Sequence, residues 1–148
     1  MKNRTKITAV LAASAVAVLV APGAARADIQ DGRITVPVSG RTAVVPDWQR
    51  AGNCTAFPEM TITVTDYPSG DYVVAVAGTV FTSRVHGAAD VWHENISLRN
   101  SDGLEFAHLT LDGPQMRSPY QDQAFLASRA VHIYDVDAIS QAVLSASC

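Results

Sequence analysis

The strongest constraint on this chain is a period of two. From Arg33 onward, apolar residues recur at every second position over short runs, and each run is closed by Gly, Pro, Ser or Asp. Side chains of an extended strand point alternately to opposite faces, so such runs read as strands with one dry and one wet side. Ile34, Val36 and Val38 alternate with Arg33, Thr35 and Pro37, and Pro37, which has no N–H to give a ladder, marks an edge strand. Ser39-Gly40 turns the chain into a short segment, Arg41 to Val45, ended by Pro46-Asp47. Residues 47–59, with Trp48, Gly52, Cys54 and Pro58, read as an irregular loop. Met60, Ile62 and Val64 then oppose Thr61, Thr63 and Thr65.

After the Pro68-Ser69-Gly70 turn, Tyr72 to Thr82 is apolar on both faces, the pattern of a central strand, and Gly78 marks a bulge or a close approach of another backbone. Val91 to Arg99 carries Trp92, Ile96 and Leu98 on one face, and Ser101-Asp102-Gly103 is a hairpin signal leading into Leu104 to Leu111. There the apolar parity shifts, from Leu104 and Phe106 to Leu109 and Leu111, as a bulge would cause. The hairpin register puts His108 opposite residues near Ser97, away from His93. Asp112-Gly113-Pro114 reads as a further turn, residues 115–123 as loop, and Phe125 to Val136 as a long last strand. The tail admits a short helix capped by Asp137, with Ile139, Ala142, Val143 and Ala146 on one face, or a final strand; the spacing favours the helix.

About seven strands joined mainly by short turns predict an all-β fold: a small antiparallel β-sandwich with a short C-terminal helix, or alternatively a small closed β-barrel. The order Cys54, Trp92, Cys148 does not make it an immunoglobulin domain, because Trp92 lies far from Cys54, no Tyr precedes Cys148 by two, and no chain follows for a final strand. The sandwich is immunoglobulin-like in architecture only.

Ahead of the strands, Lys2, Arg4 and Lys6 precede an apolar run from Ile7 to Ala21, followed by Pro22-Gly23 and Ala25-Arg26-Ala27. That is the order of a secretory signal peptide, with an apolar run short for a membrane span and Ala25 and Ala27 suited to cleavage. The expectation is a signal peptide over residues 1–27 and a single secreted β domain over 28–148, released with no membrane anchor. The Ala- and Val-rich composition, with Arg as the one basic residue type after the leader, suits a GC-rich bacterial genome.

The leader also hides the charge. The whole chain has a formal net charge of -3, but residues 28–148 keep only seven Arg against all 14 acidic residues, or about -7. An acidic surface repels phosphate backbones and anionic lipid, which argues against nucleic acid and membrane as partners. The two cysteines, Cys54 and Cys148, are expected to pair in an exported chain. The bridge closes 95 residues and adds up to ~4.5 kcal/mol in the chain-entropy model. With neither CxxC nor a Cys/His cluster, the pattern supports no zinc finger or thioredoxin-type role, and no cofactor is expected.

No nucleophile elbow, P-loop, dinucleotide fingerprint, zincin helix or EF-hand loop is present. One stretch concentrates ionisable groups: His86, Asp90, His93 and Glu94. On a strand, Glu94 shares its face with Trp92, Ile96 and Leu98, and His93 points the other way. A carboxyl on an apolar face has its pKa raised and can serve as a general acid or base, or ligate a metal with His86 or Asp90. The plainer alternative places Glu94 at a solvated strand end or pairs it with Arg99 or Arg129. Trp48, Tyr67 and Tyr72 are candidates for stacking on sugar rings, with Trp92 a further ligand-binding candidate; a cross-strand pair of Tyr67 and Tyr72 is the structural alternative. Asp66 with Asp71, or Asp135 with Asp137, have the oxygen ligands of a calcium site, although acidic turn residues are common without an ion. His108 and His132 read as rim histidines. Asn53-Cys54-Thr55 and Asn95-Ile96-Ser97 match the glycosylation acceptor, idle in a bacterial chain.

The function expected from these features is a small secreted binding or inhibitory module without catalytic machinery, its partner an extracellular protein, glycan or small molecule. A second reading is a small enzyme or ligand carrier using Glu94 with His86 or Asp90, and a third is a calcium-dependent adhesion module.

Overall fold

The alternation becomes antiparallel strands in a computed structural model, which describes residues 33–85, 87 and 89–148. Residues 1–27, expected to be a signal peptide, and the candidate His86 lie outside the described residues. In chain order the strands are β1 (Arg33–Pro37), β2 (Thr42–Val45), β3 (Gln49–Ala51), β4 (Cys54–Ala56), β5 (Met60–Asp66), β6 (Tyr72–Thr82), β7 (Asp90–Arg99), β8 (Glu105–Met116), β9 (Gln123–Val131) and β10 (Gln141–Ser147). A four-stranded sheet in the order β1-β10-β7-β8 packs on a six-stranded sheet in which β2-β5-β6-β4-β3 follow one another and β9 lies on the other edge of β6. Two separate sheets with a core between them make a sandwich, one sheet curling into a half-barrel. The closed barrel is not formed.

The alternating positions fill that core: Ile34, Met60, Ile62, Val74, Val76, Trp92, Ile96, Leu98, Phe125 and Leu144 are all buried. Pro37 sits on the edge strand β1, at the end of its ladder with β10. Ser39 and Thr42 bracket a two-residue turn in which Gly40 (φ 56°) and Arg41 (φ 64°) both take the left-handed conformation, the backbone of a tight hairpin turn. The hairpin after β7 pairs Ser97 with His108, as its turn predicted. The parity change in β8 is a bulge: Ala107 pairs with Leu98 and Glu105 with Arg99, leaving Phe106 extra. Gly78 marks a close approach, because a Cβ there would stand 2.8 Å from Cγ of Met60.

Four readings are corrected. The tail is strand β10 and not a helix. It lies between β1 and β7, hydrogen-bonded on both edges, so its backbone is satisfied by neighbours that a helix would leave open, and Ala142 and Leu144 are buried. Residues 47–59 are not an irregular loop: β3 and β4 form a hairpin around Gly52-Asn53, with Ala51 opposite Cys54. Asp112-Gly113-Pro114 does not end its strand, since β8 runs on to Met116 through a second bulge in which Gly113 and Pro114 together oppose Trp92. The last long strand stops at Val131, not Val136. These elements raise the strand number to ten among the described residues.

The disulfide forms as expected. Cys54 and Cys148, 94 residues apart in sequence, have Cα atoms 6.0 Å apart. The bond joins β4 of the larger sheet to the residue following β10 of the smaller one.

Candidate functional site

Glu94 is the residue that sequence chemistry singled out, and β7 carries it into the core. Positions 92, 94, 96 and 98 of that strand face the other sheet, and Glu94 is 0% exposed. The neighbouring Trp92 indole N–H donates to one carboxyl oxygen of Glu94 at 2.8 Å. The amide of Gln49, on β3 of the opposite sheet, donates to the other at 3.1 Å. Burial pushes the Glu94 pKa up to about 7, and the two hydrogen bonds hold it from rising further. The carboxyl therefore meets neither water nor an arginine, and the alternatives of a solvated end or a pair with Arg99 or Arg129 do not form.

Of the two groups expected to work with Glu94, His86 lies outside the described residues and Asp90 is engaged elsewhere. His93 points outward, where its Nδ1 lies 2.7 Å from Asp112. Asp90 stands beside the disulfide, its carboxylate within 4.8 Å of both sulfurs, and faces the Thr82 hydroxyl at 2.8 Å. Those sulfurs are bonded to each other and offer no thiolate to an ion. The calcium candidates are likewise engaged within the chain. Arg41 takes Asp66 at 2.9 Å and Asp137 at 3.2 Å, linking two distant turns. Asp71 accepts from Ser69 at 3.1 Å and lies 3.2 Å from His132 Nδ1, and Asp135 accepts the Ala138 N–H. Nor does the Tyr67–Tyr72 pair form: Tyr72 is registered opposite Asp66 and carries the Arg41 guanidinium 5.7 Å from its ring centre, and Tyr67 stays exposed at the turn.

Trp48 belongs to a different constellation. Its ring packs on Phe57 with centroids 4.6 Å apart, Phe57 meets Phe81 at 5.7 Å, and Phe81 meets Tyr120 at 6.2 Å. Alternation builds this row. Gln49, Ala56, Val80 and Thr82 point into the core, so Trp48, Phe57 and Phe81 point out. The Tyr120 N–H donates to the Thr82 carbonyl, which holds the loop before β9 against the end of β6. Trp48 remains 43% exposed and Tyr120 75%, and the two phenylalanines are half-buried between them.

Four aromatic rings thus cross one end of the larger sheet on its solvent face. The rest of that face is uncharged wherever β5, β6 and β9 point outward: Thr61, Thr63 and Thr65; Ala75, Ala77 and Thr79; Ala124, Leu126 and Ser128. A shallow trough lined by Ala75, Ala77, Leu126 and Ser128 continues it. Tyr72 to Thr82 is the central strand expected, flanked by β5, β4 and β9, and its outward apolar residues lie on this open face.

Sequence reasoning found Trp48 and missed Phe57, Phe81, Tyr120 and Gln49. The available signal was Gly52-Asn53, a dipeptide that turns hairpins. With β3 and β4 placed around it, Gln49 falls on the core side and Phe57 beside Phe81. No protein-family model, curated protein or solved structure matches this chain.

Proposed function

We propose that this protein is a small secreted binding module whose working surface is the outer face of its larger sheet, and that its ligand is a neutral polysaccharide chain. The observation that carries the reading is the row Trp48, Phe57, Phe81, Tyr120, held open to solvent at centroid spacings of 4.6 to 6.2 Å. Aromatic faces with a solvent-exposed edge bury the apolar faces of sugar rings and leave hydroxyls hydrated. Exposed large apolar side chains gathered in one patch on a small soluble domain mark a contact surface. β5, β6 and β9 present no charge on this face, although Arg50 of β3 is exposed on it beside the row, and this long uncharged stretch favours a neutral ligand. The disulfide suits an oxidising extracellular setting.

A binding role is favoured over chemistry at Glu94 because both of that carboxyl's oxygens already accept hydrogen bonds inside the core. The test is affinity electrophoresis through gels carrying neutral glucans, mannans or chitin-type polymers. The wild type is retarded by at least one polymer, and Trp48→Ala and Tyr120→Ala each abolish the retardation without changing the thermal midpoint. Equal mobility of all three proteins in every gel would overturn the proposal.

A further inference from the structure

On the opposite side of the molecule, the outer face of the smaller sheet carries a second feature. Cross-strand register puts Asn95 opposite Ser145 and Ser97 opposite Val143, and Arg33 of β1 also faces Ser145. These short side chains floor a depression of about 210 Å3, and longer ones stand around it: Arg33 on β1, Arg99 on β7 and His108 on β8. The floor is rigid, for Val143 and Ser97 are buried in the middle of a four-stranded sheet. Two guanidinium groups and an imidazole from three strands therefore converge on one basin of a chain whose strand domain is acidic overall.

The basin is partly wired. Glu105 accepts the Ser97 hydroxyl, lies 3.4 Å from Arg99 and 3.4 Å from His108 Nδ1, and its carboxyl is held below the usual range by that hydroxyl first. The Arg99 Nε–H donates to Ser97 at 2.7 Å, fixing the guanidinium at the rim. One carboxylate thus stands against two guanidinium groups and an imidazole. Two guanidinium groups against one carboxylate leave an excess positive charge for an anion to meet, and donors that approach from three strands suit a tetrahedral oxyanion better than a planar carboxylate.

We propose that this basin is an anion site for a phosphate or sulfate group, with Arg33 and His108 as direct ligands and Arg99 oriented by Ser97 and Glu105. The site does not depend on the aromatic row, which lies on the other sheet.

Calorimetric titration of the folded, disulfide-intact protein with inorganic phosphate, inorganic sulfate, glycerol phosphate and a glycerol phosphodiester tests it. The first two arms read a free anion, the last two an anion carried on a larger molecule. Saturable binding of at least one is expected. Arg33→Gln and His108→Gln should each weaken it about tenfold, as loss of a charge-assisted hydrogen bond does. Glu105→Gln, which removes the competing carboxylate, should tighten it, and Arg129→Gln and Trp48→Ala should leave it unchanged. Absence of saturable binding by all four ligands, or equal weakening by Arg33→Gln and Arg129→Gln, would overturn the proposal; the latter would show general charge attraction.

Discussion

The Gln49 amide and the Glu94 carboxyl meet at 3.1 Å in the core, one side chain from each sheet. With the Trp92 indole on the other oxygen, they form a polar bridge across a largely apolar sandwich. Buried polar groups hold their place when each finds a partner, and removing one partner leaves the others unsatisfied at a cost of about 1–3 kcal/mol apiece. Glu94→Ala should therefore lower stability by several kcal/mol at every pH, read as a fall in the urea midpoint.

The same carboxyl makes stability depend on pH in a stated direction. Its pKa is raised from 4.5 to about 7 by burial. Below the lower value, folded and unfolded chains both hold the proton. Between the two, the unfolded chain has released it and the folded chain retains it, so stability falls by roughly 1.4 kcal/mol for each pH unit gained. Above pH 7 both are ionised and the loss levels off near 3 kcal/mol, as an order of magnitude. Glu94→Gln keeps the shape and removes the charge, and a turned Gln49 amide can pair with the new one. Urea unfolding from pH 4 to 8 should show the decline in the wild type and its absence in this variant.

Gly78 and Met60 should behave as a coupled pair. A methyl at 78 meets Cγ of Met60 at 2.8 Å, so Gly78→Ala forces the buried Met60 to move and should cost about 1–3 kcal/mol. In combination with Met60→Ala, which removes Cγ of Met60 and the atoms beyond it, the added cost of Gly78→Ala should shrink. A double-mutant cycle on thermal midpoints measures the difference.

Opening the disulfide should weaken the sandwich where β4 meets the C-terminus. Cys54→Ser with Cys148→Ser should lower stability by about 2–5 kcal/mol. The measurement is chemical unfolding of the oxidised wild type against the double variant.

Much of the fold was legible because period two survives wherever one face of a strand is dry. It gave β1, β5, β7 and the first part of β8, and the parity slip at Phe106 gave a bulge. It failed for the tail that forms β10, where Ile139, Ala142, Val143 and Ala146 also fit a helical spacing. Only pairing with β1 and β7 decides between the two. It failed again at Gly113-Pro114, a turn signal absorbed by a bulge against Trp92. At the candidate site, the placement of Glu94 among apolar residues was readable from alternation alone. Its partner Gln49 was not, because the contact runs between sheets and no local pattern encodes it. The aromatic row was half visible for the same reason, with Trp48 standing out alone and its neighbours brought to it by three separate segments.

The most direct test of the binding surface uses the two tryptophans of the chain, one exposed at position 48 and one fully buried at position 92. In the 15N spectrum each indole N–H gives its own signal. Titration with hexasaccharides of glucose, mannose and N-acetylglucosamine should shift the Trp48 indole signal saturably with at least one sugar and leave the Trp92 signal in place. A Trp48 signal that stays fixed with every sugar would contradict the account.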